Sequence, residues 1–142
     1  MKVLITGING FVGHYLKEYF LAKGDEVFGF DLGGEFSNAI FKCDITNADE
    51  VADVIKKTLP DKIFHLAGFS SVKKSFDQPD LTWKINYEGA KNLLDAVLKF
   101  TPGAKVLLLL PNLSINFTST ISMDFISLPA LSTSCFSASL SV

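Results

Sequence analysis

The chain has 142 residues, a formal net charge of −2 and 48% apolar side chains, which fits one domain with a real core. So small a charge argues against a nucleic-acid or anionic-membrane partner. The two cysteines, Cys43 and Cys135, lie far apart and suggest neither a metal site nor a disulfide framework, which fits a reducing, cytoplasmic setting.

Met1-Lys2 runs straight into apolar residues, so no leader is expected and residues 2–6 read as a short buried parallel strand. The strand ends in Thr6-Gly7-Ile8-Asn9-Gly10-Phe11-Val12-Gly13. A G-x-x-G-x-x-G spacing between strand and helix makes a tight turn with outward backbone N–H groups, where a dinucleotide pyrophosphate can settle against the helix dipole. Gly7 permits the turn, Gly10 lets phosphate approach bare backbone, and Gly13 lets the helix pack closely on the strand. A glycine triplet alone is weak evidence. The strand–turn–helix context gives it weight.

Phe11 to Lys23 reads as a helix with Val12, Tyr15, Leu16, Tyr19 and Phe20 on one stripe, and Gly24 follows as its C′ residue. Residues 26–31 form a second strand ending in Asp31, 18 residues after Gly13. A carboxylate at that spacing accepts hydrogen bonds from both adenosine ribose hydroxyls and repels a 2′-phosphate, which favours NAD over NADP. The alternative is that Asp31 merely starts the turn Asp31-Leu32-Gly33-Gly34.

Residues 39–43 read as a short third strand. Thr46 or Asn47 then caps a helix through about Thr58, with Val51, Val54, Ile55 and Leu59 buried and Pro60-Asp61 as its stop. Residues 62–68 form a fourth strand whose small terminal residues leave room for a ligand. His65 in that strand reads as a satisfied core histidine before it reads as a catalyst. After a polar loop at 69–75, a long helix runs from about Leu81 to Phe100, with Leu81, Ile85, Leu93, Leu94, Val97 and Leu98 on its apolar face. Residues 105–110 are a fifth strand. Strands alternating with helices in this order predict an α/β, doubly wound parallel sheet.

The ordered set Thr6–Gly13, Asp31, Asp44-Ile45, His65-Leu66-Ala67-Gly68, Ser70-Ser71-Val72 and Asn86 resembles the extended short-chain dehydrogenase/reductase family, in its NAD-dependent epimerase/dehydratase branch. The motifs are most similar to those of GDP-4-keto-6-deoxymannose reductases and GDP-mannose 4,6-dehydratases, with sugar-nucleotide epimerases next. The resemblance implies a Rossmann-type domain over residues 1–110. It implies that Gly7, Gly10, Phe11 and Val12 surround the pyrophosphate beside Gly13, and that Asp31 holds the ribose. Asp44 and Ile45 would flank adenine, and Leu66, Ala67 and Gly68 would line the path to nicotinamide. Ser70, Ser71 and Val72 would border a sugar-nucleotide substrate, and Asn86 would be the supporting asparagine of a catalytic tetrad; read by itself, Asn86 is a solvated helix residue.

The family's remaining catalytic groups, a Ser or Thr after the fifth strand and a Tyr-x-x-x-Lys pair on the next helix, have no counterpart at those places. The tyrosine would serve as general acid/base and the lysine would lower its pKa. Tyr19/Lys23 and Tyr87/Lys91 match the spacing but fall on helices the family uses for packing. The long helix also resembles one of two family dimerisation helices, yet its companion is missing, so a normal homodimer is not expected.

Residues 106–142 carry one charge, Asp124, and no glycine. Their apolar runs approach spanning length, but Pro111, Asn112, Asn116 and many Ser/Thr residues argue against a membrane segment. Codons for Leu109-Leu110-Pro111-Asn112 admit CTT-CTT-CCG-AAC, which from its third base reads Ser-Ser-Glu, a motif the family carries there. Residues 111–142 are therefore read as an out-of-frame tail. The expected function is the NAD(P)-binding portion of a nucleotide-sugar dehydratase, reductase or epimerase, inactive as this chain. The alternatives are a non-catalytic dinucleotide-binding module and a truncated product without function.

Overall fold

The computed structural model describes residues 1–68 and 77–109. Five parallel strands, β1 (Lys2–Thr6), β2 (Glu26–Asp31), β3 (Ile40–Lys42), β4 (Lys62–His65) and β5 (Lys105–Leu108), lie in the order β3-β2-β1-β4-β5. Strand order reverses between β1 and β4, so a crevice opens at their carboxyl ends. Thr6, the last residue of β1, stands between Phe30 of β2 and His65 of β4 in register.

The apolar run of β1 follows from cover on both faces. Val3 and Ile5 pack with Phe20 of helix α1 (Phe11–Ala22), beside Val27 and Ile40. Leu4 packs on the other face with Val51, Val54 and Ile55 of α2 (Ala48–Thr58) and with Leu93 and Val97 of a later helix. That later helix is reached through a short α3 (Pro79–Trp83) and one π-helical turn (Lys84–Glu88), and continues as α4 (Gly89–Phe100).

Several expectations are corrected. On α1 only Gly13 and Phe20 are buried, with Leu16 half-buried, whereas Val12, Tyr15 and Tyr19 point outward. Gly13 lies so close to the turn that it sets the rotation of the helix, and its neighbours at i+3 and i+7 are Leu16 and Phe20. On α2 the buried terminal residue is Thr58, not Leu59. Leu59 caps the helix in the left-handed region (φ 45), which turns its side chain to solvent. Leu81 is likewise exposed, and Gly89, Ala90 and Ala96 complete the buried face of α4. The long helix of the sequence reading is thus three pieces. β4 ends at His65, so residues 66–68 leave the sheet, and β3 and β5 are shorter than expected. Residues 69–76 and 110–142, with Ser70, Ser71, Val72 and the tail, lie outside the described residues.

Candidate dinucleotide cleft

The glycine turn is anchored by its own backbone. Gly7 N–H donates to the Phe30 carbonyl at 2.9 Å and Gly10 N–H to the Gly7 carbonyl at 3.0 Å. Gly7 takes a positive φ of 72°, and a Cβ there would lie 2.9 Å from the Ala67 backbone nitrogen. A Cβ on Gly13 would meet the Gly7 carbonyl oxygen at 2.4 Å. Both positions exclude a side chain, one by conformation and approach, the other by approach alone. Gly10 is the N-cap of α1 and has no capping side chain, so the first N–H groups of α1 are left to a ligand or water.

Thr6 joins the two walls. Its Oγ1 accepts from Leu66 N–H at 3.2 Å and Ala67 N–H at 3.0 Å, and it lies 2.7 Å from His65 Nδ1. His65 Nε2 is buried and finds no partner among the described residues. Burial pushes the His65 pKa down to about 4, so the ring is neutral. His65 is fully buried, as the sequence reading preferred, but it is not fully satisfied, since only Nδ1 has a partner among the described residues.

On the β2 side, Asp31 accepts from Asn9 N–H at 3.1 Å through one oxygen and from Leu32 N–H at 2.8 Å through the other. It therefore both begins the turn and faces the cleft. The adenine side is built from α2. Asn47 caps the helix by accepting from Asp49 and Glu50 N–H at 3.2 and 3.4 Å, and Glu50 reaches back to Asp44 N–H at 2.8 Å and the Asn47 amide at 2.9 Å. Asp44 Oδ1 accepts from the Thr46 N–H and hydroxyl. The Ile45 carbonyl accepts from Asn92 Nδ2 at 3.1 Å, and Ile45 packs so close to Gly89 that a Cβ there would lie 2.9 Å away.

These elements enclose a cleft of about 530 Å³. All eleven residues expected at a cofactor line it: Gly7, Gly10, Phe11, Val12, Gly13, Asp31, Asp44, Ile45, Leu66, Ala67 and Gly68. Ile85 of the π-helical turn also lines it, while Asn86 is half-buried beside Ile85 and is not among the lining residues. Cys43 lies at the cleft wall, and burial, followed by the Glu50 and Asp44 charges, pushes its thiol up to about 12. It stays protonated at neutral pH and is a packing group. Neither Tyr-x-x-x-Lys pair lines the cleft. Lys23 Nζ sits 4.4 Å above the Tyr19 ring, and Lys91 pairs with Asp95 while Tyr87 stacks on Trp83. The sequence reading missed Thr6, Asn9, Glu50 and Asn92 as supports, because their partners lie far away in the chain or in irregular backbone.

Residues 3–110 match the NAD dependent epimerase/dehydratase family. The chain belongs to that family. Among the relatives of this epimerase/dehydratase chain, a CDP-paratose 2-epimerase of Salmonella typhi is 34% identical, over 75% of this chain and 36% of the relative. A GDP-mannose 4,6-dehydratase of Vibrio cholerae is 31% identical, over 68% and 31%. The chain thus spans about a third of the length of these curated relatives. Among solved structures, the UDP-glucose 4-epimerase of Thermus thermophilus in complex with NAD superposes with a TM-score of 0.66 at 31% identity, over 70% of this chain and 34% of that one. A dTDP-4-dehydrorhamnose reductase of Bacillus anthracis in complex with NADP gives 0.63 at 32%, over 74% and 34%. The family fold therefore occurs with either dinucleotide.

Proposed function

We propose that this chain is the NAD-binding portion of a nucleotide-sugar dehydratase, reductase or epimerase, and that by itself it binds the dinucleotide without turnover. The observation that carries the reading is the convergence of the glycine turn, Asp31, residues 44–45 and residues 66–68 on one cleft. Gly7 and Gly13 reject a Cβ because the turn closes on residues 66–67 and on its own backbone, which supports a tight turn with Gly10 at the start of α1.

In this reading Gly10, Phe11 and Val12 hold the pyrophosphate, and Asp31 holds the ribose hydroxyls. Asp44 and Ile45 flank adenine, and Leu66, Ala67 and Gly68 border the nicotinamide. Ser70, Ser71 and Val72 meet the sugar nucleotide, and Asn86 has the supporting role. Bound NAD would supply hydride transfer to or from a pyranose carbon. The chain's own part is to bind and orient it. Inactivity is supported by the position of Tyr19/Lys23 and Tyr87/Lys91 outside the cleft, which leaves no Tyr–Lys acid/base pair among the described residues that line it. We also propose that residues 111–142 are translated out of frame, a reading supported by the family match ending at residue 110.

Titration calorimetry with the 142-residue chain tests this. NAD should bind and NADP should bind more weakly, and Asp31→Asn should narrow that gap. GDP-4-keto-6-deoxymannose with NAD(P)H should show no turnover. A chain that binds neither dinucleotide is a product without function, and measurable turnover overturns the inactive reading.

A further inference from the structure

Asn9 has none of the roles assigned to the glycine turn. It does not line the dinucleotide cleft; it lines a second recess of about 490 Å³ together with Gly34 and Glu35. Its backbone N–H donates to Asp31 Oδ2 at 3.1 Å, while its side-chain Nδ2 donates to the Gly33 carbonyl at 2.8 Å and the Glu35 carbonyl at 3.3 Å. One residue thus grips both the ribose-side carboxylate and the loop that follows it. Gly34 shows how close the grip is. It has a φ of 102°, and a Cβ on it would lie 2.5 Å from Asn9 Nδ2. With Leu32 N–H on the other oxygen at 2.8 Å, the Asp31 carboxylate is fixed before any ligand arrives.

We propose that Asn9 is a positioning residue for cofactor choice, clamping the loop at 33–35 onto the glycine turn so that Asp31 faces the ribose and a 2′-phosphate finds no room. The inference rests on the reading of the main cleft as an NAD site. Charge supports it. The loop from Leu32 to Ala39 carries one acid, Glu35, and no lysine or arginine, while Lys42 of β3 stands in register with Asp31. His14 and Lys17 line the second recess with Asn9, and neither lines the dinucleotide cleft. Releasing the loop would leave the Asp31 carboxylate on its two backbone N–H groups but let residues 33–35 draw back from the glycine turn, making room beside the ribose. Loss of the clamp should therefore weaken NAD binding and relieve the exclusion of NADP at the same time.

The test is calorimetry of NAD and NADP on the 142-residue chain and on Asn9→Ala, Asn9→Leu and Gly34→Ala. A leucine at position 9 keeps the size and adds no charge but cannot donate to either carbonyl. Gly34→Ala forces the loop off the amide from the other side. Each variant should reduce the ratio of NADP to NAD dissociation constants by about tenfold, the equivalent of roughly one to two neutral hydrogen bonds. A merely structural asparagine would lower the melting temperature and both affinities together and leave the ratio unchanged, which overturns the inference alone. If Asn9→Ala does not fold, Gly34→Ala and Asn9→Leu decide the matter by the same ratio. A parent chain that binds neither dinucleotide, or that prefers NADP, overturns the NAD reading and the inference with it.

Discussion

His65 is the last residue of β4, with Thr6 of β1 on Nδ1 and no partner for Nε2 among the described residues. Protonating it would place a charge in a buried site, and burial holds its pKa near about 4 against an ordinary 6.5. In the unfolded chain the ring takes up its proton as pH falls through about 6.5. Between those two values the unfolded state binds more protons than the folded one, so stability falls as pH falls. The contribution is fully present above about pH 6.5 and lost by about pH 4, and amounts to about 3 kcal/mol. Urea midpoints of the parent and of His65→Asn, taken from pH 7 to pH 4, measure it. The parent should lose more stability than the variant over that window, and parallel curves would refute the account.

At the scale of elements, the start of α2 is both a helix cap and a wall of the cleft. Asn47 satisfies two of the free N–H groups of α2, and Glu50 ties that cap to the Asp44 backbone. Asn47→Ala should cost about 1 kcal/mol of stability, the usual value of such a cap. It should also raise the NAD dissociation constant, because the segment 44–45 would lose its tether. Thermal melts and calorimetry separate the two effects, and an unchanged affinity would show that Asn92 and Gly89 hold Ile45 without help. The cap was legible in the sequence to within one residue, as Thr46 or Asn47 before an amphipathic stretch, and it is Asn47. So was β2, whose bounds agree with the reading, because its apolar run stops at a charged residue. The phase of α1 was not legible from hydrophobicity. Tyr15 and Tyr19 are apolar enough to mimic a buried stripe, yet the contact at Gly13 turns them outward. The π-helical turn was hidden too. An apolar pattern spaced for an ordinary helix fits both pieces on either side of it, and the extra residue changes only the rotation between them. The residues that line the cleft were legible more fully than the packing. Glycine turn, acid and strand-end small residues are local features, whereas the clamps by Asn9, Thr6 and Asn92 join residues between 22 and 61 positions apart.

For the molecule as a whole, ordinary composition and family likeness stop together. The family match runs to residue 110, and from residue 106 onward the sequence holds a single charge and no glycine. In the first part, by contrast, glycines and charges fall where turns, caps and helix surfaces use them: Gly24 ends α1, and Asp49 and Glu50 open α2 while Lys56 and Lys57 close it. The loss of frame proposed above would account for the change in one step. A shifted frame would erase the placement of polar and apolar residues that selection for folding maintains, yet would leave the chain before it intact. The codons open to Leu109-Leu110-Pro111-Asn112 permit Ser-Ser-Glu one shift away, at the place where a catalytic serine would follow β5. Sequencing the DNA downstream of the Leu110 codon should reveal that motif in another frame, followed by a Tyr-x-x-x-Lys. Restoring the frame in an expressed gene should then yield a chain that turns over a nucleotide sugar, with Asp31 and the glycine turn unchanged. An in-frame transcript with neither motif in any frame would sink the proposal, and the cleft would stand as a binding module alone.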